Sequence, residues 1–176
     1  VLTGDDPAVT YADVTTLIPD DPFRDMTIPD GSKPFFMDLF DTGLDDLIFG
    51  TPDGTFQYYK NTGDATTPVY VLQNGADNPM QGFDVGTHAA PALIDLDNDG
   101  DLDLVSGEGS GDLFYFENVG TVDHPAFVPK TGNDNPFDAI NAGRYSTPNL
   151  GDLDSDLDYD LIIGNDQGTI TTFENI

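Results

Sequence analysis

The chain has no cysteine and no tryptophan, and it sets only five Lys and Arg against thirty-three acids in 176 residues. Without cysteine there is no disulfide framework, no thiol nucleophile and no zinc-thiolate site, so stability has to come from packing or from bound ions. The formal net charge of −28 repels nucleic acid and anionic membrane surfaces and excludes a function that tracks phosphates. Cations are the natural partners. Glutamate is scarce as well, with thirty Asp to three Glu. A merely solvated acidic surface draws on both acids, whereas aspartate suits tight turns and oxygen-ligand metal loops. No apolar run approaches the length of a membrane span, and there is no Asn-x-Ser/Thr acceptor for N-glycosylation. The sequence opens at Val1 rather than Met, which fits a mature, processed or excised segment and is compatible with secretion.

What is present is a repeat. KPFFMDLFDTGLDDLIFGT, APALIDLDNDGDLDLVSGE and TPNLGDLDSDLDYDLIIGN place Asp38, Asp95 and Asp152 at a constant shift of 57. Glycines 54, 111 and 168 open the next segment of each copy, and PDDPF, ADNPM and NDNPF precede the acidic stretches at the same interval. The units are 14–70, 71–127 and 128–176, the last lacking the NTGxxxxPxY tail. Thr3–Tyr11, TGDDPAVTY, resembles that tail, so residues 1–13 are expected to hold a strand completing a unit of this chain or of a neighbour. Within a unit the apolar residues alternate, the mark of half-buried strands. Residues 91–96, 102–106, 112–118 and 126–128 read as four short strands, while thirteen prolines and nineteen glycines leave no room for an amphipathic helix. The fold class expected is all-β, three tandem four-stranded antiparallel propeller-type blades.

The acidic loop joins the first two strands of each unit. In the second unit it reads D-x-D-x-D-G-x-x-D, with Asp95, Asp97, Asp99, Gly100 and Asp103 in the spacing of a calcium loop, where side-chain oxygens and one carbonyl converge and glycine allows the turn. Carboxylates alternating along an extended strand would repel on one face; wrapped round a divalent ion, they coordinate. Hard oxygen ligands in this number favour calcium over zinc, copper or magnesium. The helical EF-hand loop is a poor match, since its bidentate Glu is replaced by Ser106 and the flanks are strands.

Repeats of the form P-x-x-x-D-x-D-x-D-G-D-x-D-L-x-x-G followed by G-x-[LI]-x-x-[FY]-[FY]-x-N-x-G resemble the FG-GAP and VCBS repeats of bacterial extracellular proteins, and through them the calcium-bearing blades of the integrin alpha-subunit propeller. The resemblance covers about Val14 to Ile176. It implies calcium held by Asp95, Asp97, Asp99, the Asp101 carbonyl and Asp103, and in the third unit by Asp152, Asp154, Asp156, the Asp158 carbonyl and Asp160. There Leu157 replaces the turn glycine, at a cost if a left-handed residue is required. In the first unit Asp38 and Asp46 remain with Thr42, but Phe40 removes a ligand, so this third site is degenerate.

Other chemistry is less well supplied. Crowded, repeated aspartates lack the asymmetry of an acid and base pair for glycoside hydrolysis. His88 and His124 fall outside the repeated plan, so a surface or inter-blade packing role suits them better than a triad with Ser106 or Ser146. Of the ring pairs Tyr58/Tyr59 and Tyr115/Phe116, one member is expected in the core and the other facing outward, where it packs between blades or stacks on a sugar. The reading is therefore a non-enzymatic, extracellular, calcium-binding repeat module with a structural or adhesive role. It is expected to self-associate into a surface assembly or filament through blade edges or the N-terminal strand, since three blades are fewer than a closed propeller uses. The alternative is a lectin-like propeller binding carbohydrate. A carbohydrate or a cell-surface protein is the ligand expected, with no nucleic acid and no membrane span.

Overall fold

The computed structural model describes residues 21–175. It is all-β, 37% strand and 4% helix, in three antiparallel sheets of four, four and three strands, none closed into a barrel. Sheet 1 holds β1 (Lys33–Met37), β2 (Asp46–Gly50), β3 (Phe56–Asn61) and β4 (Tyr70–Gln73). Sheet 2 repeats it as β5 (Ala90–Ile94), β6 (Asp103–Gly107), β7 (Leu113–Asn118) and β8 (Phe127–Lys130). Sheet 3 has β9 (Thr147–Gly151), β10 (Asp160–Gly164) and β11 (Ile170–Phe173). Among the described residues β11 is an edge. The strand expected in residues 1–13, together with residues 14–20 of the first unit, lies outside the described residues.

The register carries the 57-residue period into space: Met37 pairs with Asp46, Ile94 with Asp103 and Gly151 with Asp160. The acidic loop thus closes the first hairpin of every sheet. The strands expected at 91–96, 102–106 and 112–118 occur as β5, β6 and β7, shifted by at most two residues, and the fourth moves to Phe127–Lys130. Both β4 and β8 straddle the sequence boundaries at 71 and 128, so the opening residues of one unit close the sheet of the unit before it.

Half-buried strands are expected from the alternation, but β2 and β6 are buried along their whole length. The sheets stack, covering both faces of β6 and one face of β2: β5 packs on β1 and β2, and β9 packs on β5 and β6. Leu47 and Phe49 on the other face of β2 pack with Tyr59, Met26 and Tyr70. Ile48, Phe56 and Tyr58 of sheet 1 meet Leu93, Leu104 and Phe116 of sheet 2 in one core. Val105, Leu113 and Tyr115 on its far side meet Leu161 and Ile163 of sheet 3 in another. Both members of each ring pair are consequently buried: Tyr58, Tyr59, Tyr115 and Phe116 are all at most 5% exposed. Neither member of either pair faces outward; the exposed ring of β7 is its neighbour Phe114. The stacking also requires Gly50 and Gly107, where a Cβ would sit 2.3 Å from the carbonyl oxygens of Ala89 and Ser146 in the next sheet.

Among the described residues no helix is long and apolar enough to cross a membrane.

Candidate metal centre

Asp95, Asp97 and Asp99 each turn one carboxylate oxygen to a common point, with the three atoms within 4.8 Å of one another, and Asp152, Asp154 and Asp156 do the same. Backbone turns build this geometry. Asp95 accepts the N–H groups of Asp99 and Gly100 on its two oxygens, at 3.0 and 3.1 Å. One oxygen of Asp97 accepts from Asp99 at 3.2 Å, and one of Asp99 from Asp101 at 3.1 Å. Each of the latter two carboxylates keeps its second oxygen for a ligand. The third-unit loop repeats the pattern with one change: Asp152 accepts from Leu157 and from Ser155, one position before the equivalent of Asp99, while Asp154 accepts from Asp156 and Asp156 from Asp158. Its φ angles repeat too: Ser155 at +70° and Leu157 at +80° match Asn98 at +60° and Gly100 at +99°. Leu157 thus does occupy the left-handed position that the glycine relieves.

Two further oxygens bear on whether a cation fits. One carboxylate oxygen of Asp101, and the corresponding one of Asp158, is buried without a hydrogen-bond partner. Burial and the neighbouring Asp99, Asp97 and Asp95 charges push the Asp101 carboxyl above its ordinary value. Asp158 and Asp154 are raised in the same direction, by desolvation first and then by the crowded aspartates. Uncompensated negative charge at close range is what a divalent ion relieves, and the donor set is all oxygen, so the loops fit such an ion.

Asp103 and Asp160, the last side-chain ligands expected, are buried away from the triplets' exposed rim and are already engaged. Asp103 accepts from the Asn118 N–H at 2.7 Å, the Tyr115 hydroxyl at 3.1 Å and the Leu96 N–H at 3.2 Å. Asp160 accepts from Asn175 and Leu153 at 3.0 and 2.8 Å. Each ties its acidic loop to the end of the third strand. Burial pushes the Asp103 carboxyl up to about 6, against the pull of its hydrogen bonds. The sequence shows the aspartate but not this partner set; the repeated aromatic-x-x-Asn of FQYYKN and LFYFEN is the signal that could have pointed to it.

The first-unit loop keeps the fold and loses the cluster. Asp38 accepts from Thr42 N–H at 2.9 Å and Gly43 N–H at 2.6 Å, and also takes the Thr42 hydroxyl at 3.2 Å. Asp46 accepts from Tyr58 and Asn61 at 2.6 and 2.7 Å. Where the second unit has Asp97, Phe40 packs into the core between sheets 1 and 2. The Lys60 ammonium stands 4.2 Å from the centre of the Phe40 ring, at the position of Glu117 in the next unit. This loop therefore carries its own cation, and among the described residues the two triplets are the only groups of three acidic or His side chains placed to share an ion.

A scan against protein-family models finds no match for this chain, and a search of curated proteins finds none either.

Of the remaining candidates, His88 and the two serines are taken up by packing, while His124 is exposed. His88 lies edge-on to Tyr145 with centroids 4.5 Å apart, each at positive φ, and the backbone N–H of His124 closes a turn onto the Thr121 carbonyl. The Ser106 and Ser146 hydroxyls are fully buried and hydrogen-bonded to backbone, with neither paired to a histidine.

Proposed function

We propose that the chain is a calcium-held β-repeat module of the FG-GAP/VCBS type, a propeller-like scaffold with a structural or adhesive role outside the cell. The observation that carries this reading is the pair of loops in which three aspartate oxygens converge while a buried oxygen of Asp101 or Asp158 stands beside them unpartnered. Each loop joins the first two strands of its sheet, so a bound ion would pin the hairpin on which the next sheet stacks. Calcium is favoured because an all-oxygen set on a flexible loop suits its coordination, and extracellular modules of this kind bind in the range of about 10⁻⁴ to 10⁻³ M. Calorimetric titration of the chelator-treated protein with calcium should show two equivalents bound; no binding at millimolar calcium refutes the reading.

A lectin-like reading has one observation in its favour. A cavity of about 510 Å³ lies between sheets 2 and 3, lined by Asp97, Tyr115, Phe137, Tyr159, Phe173 and Glu174 among others. Between sheets 1 and 2 the corresponding space is filled by Phe40 and Phe83, the latter stacked on Phe116 at 4.5 Å. Rings and carboxylates beside a cation loop suit a sugar. Binding on a glycan array that is lost on chelation favours this second reading, and an array without signal disposes of it.

A further inference from the structure

Sheet 1 carries a cleft at the end away from its acidic loop. Gly50 pairs with Phe56 at that end, whereas the Asp46 end of β2 adjoins the loop. Strand β4 stops at Gln73, opposite Tyr58, so the start of β3 runs on past it. The chain then turns through a short 3₁₀ helix, Gly75–Asp77, and Asn78 is tied back to β3 by its amide, which donates to the Phe56 carbonyl at 3.4 Å. Between β3 and this connector lies a cavity of about 390 Å³, within the ~300–1,000 Å³ of small-molecule sites. Every residue lining it falls between Thr55 and Asp84, inside the array of sheets and at neither end of it.

Four amides border the cavity: Gln57, Gln73, Asn74 and Gln81. One repeat further on, their counterparts are Phe114, Lys130, Thr131 and Asp138, so the repeated fold demands an amide at none of the four. Two are fixed by the backbone. Gln73 donates its amide to the Val71 carbonyl at 2.8 Å, and the Gln81 side-chain oxygen accepts the Gly75 N–H at 3.1 Å. Gln73 thereby keeps its side-chain oxygen, and Gln81 its amide nitrogen, for a ligand. Gln57 is not held in this way: its side-chain oxygen is buried and has no hydrogen-bond partner. A buried acceptor without a donor costs the fold its desolvation. Phe83 adds a ring to the wall, fixed by stacking on Phe116 with centroids 4.5 Å apart. Among the described residues no Lys, Arg or His lines the cavity, and its single acid, Asp84, already accepts the Gly86 N–H at 2.8 Å.

We propose that this cleft binds a neutral sugar, held by the Gln57, Gln73 and Gln81 amides against the Phe83 ring. Each hydroxyl of a neutral sugar is both donor and acceptor, which is what amide oxygens and nitrogens pair with. A hydroxyl donating to the Gln57 oxygen satisfies the acceptor that the fold leaves open, and the apolar face of a pyranose packs on an aromatic ring. An anion finds no positive group here, and a chain of net charge −28 repels it. A cation finds one acid, where each loop offers three. The ligand class is that of the lectin-like reading, but the site is another. The cleft shares no residue with the cavity between sheets 2 and 3 and lies at the opposite end of its sheet from the acidic loop. It rests on neither the calcium reading nor the lectin-like one.

Saturation-transfer difference NMR on the full chain tests this, with glucose, galactose, mannose, N-acetylglucosamine, lactose and maltose as probes at millimolar concentration. At least one probe should bind, and titration of that probe gives its Kd. Gln57→Phe and Gln73→Lys install the residues that sheet 2 carries at these positions, and each should weaken binding by roughly tenfold or more. Excess chelator, at a temperature below both melting transitions, should leave the wild-type Kd unchanged. Thermal melting verifies that the variants fold; Gln81→Ala, at an exposed position, replaces either one that does not. No signal from any probe overturns the proposal, as does Gln57→Phe binding like wild type. Binding that is lost on chelation but kept in Gln57→Phe assigns the sugar to the cavity beside the Asp97 loop, which overturns this site and favours the lectin-like reading. Binding by the cleft in a chain whose melting ignores calcium sinks the cation reading alone.

Discussion

Removing calcium should cost the fold an amount set by the number of loops. An ion that binds only the folded loop adds about 2.7 kcal/mol when its free concentration is a hundred times the Kd, so the two triplets together add about 5 kcal/mol. For a chain of this size each kcal/mol moves the melting temperature by about 2–4 °C, giving a shift of about 10–20 °C between saturating calcium and excess chelator. Asp97→Asn makes the test specific. Its amide oxygen can still accept the Asp99 N–H that Asp97 accepts at 3.2 Å, so the loop keeps its turn while losing a charge aimed at the ion. The variant should show about half the wild-type shift, and its melting temperature in chelator should not fall, because removing one of three crowded carboxylates relieves repulsion. Differential scanning calorimetry of both proteins in calcium and in chelator reads all four values. A wild-type shift below a few degrees, or an Asp97→Asn shift equal to wild type, refutes the assignment of the ion to this loop.

The pH dependence in chelator should run opposite to ordinary acid denaturation. Asp103 titrates near 6 in the fold against 3.8 as a free side chain, with Asp46 and Asp101 raised in the same direction by burial. The folded state then binds more protons than the unfolded one between about pH 4 and 6, so stability falls as pH rises through that window. Urea midpoints should be higher at pH 4.5 than at pH 7 without calcium, with the order reversed at saturating calcium. Leu157→Gly should raise the melting temperature in chelator by about 2–4 °C, since a non-glycine residue in the left-handed region costs about 1 kcal/mol or more and the Leu157 side chain is 88% exposed at φ +80°. The quadruple variant Phe40→Asp, Thr42→Asp, Leu44→Asp, Lys60→Glu gives the first loop the triplet, the Asp101 counterpart and the Glu117 counterpart of the second unit and should raise the calorimetric calcium stoichiometry from two to three.

Much of this protein is local, and what is local was legible in the sequence. The 57-residue period, the hairpins and the aspartate loops each depend on residues within a few positions of one another: alternation makes the strands, and Asx turns at Asp95 and Asp152 with left-handed residues at Asn98, Gly100, Ser155 and Leu157 make the loops. A carboxylate that accepts an N–H three to five residues ahead needs no tertiary contact to do so. The stacking of sheets is what no single repeat specifies. It buries Phe116 on one face of sheet 2 and Tyr115 on the other, where alternation alone leaves one ring of the pair facing out. Pairing of β6 with β7 within one sheet places the Asn118 and Tyr115 donors on Asp103 across 15 and 12 residues of chain, and β3 sets Lys60 over Phe40 within the first unit. Stacking also distinguishes residues that the repeat makes equivalent, covering Phe56 and Leu113 while leaving Ile170 bare. Hydrogen bonds between neighbours in sequence form wherever the pattern recurs, but burial depends on which sheet stands beside which, and that is decided only when the sheets pack.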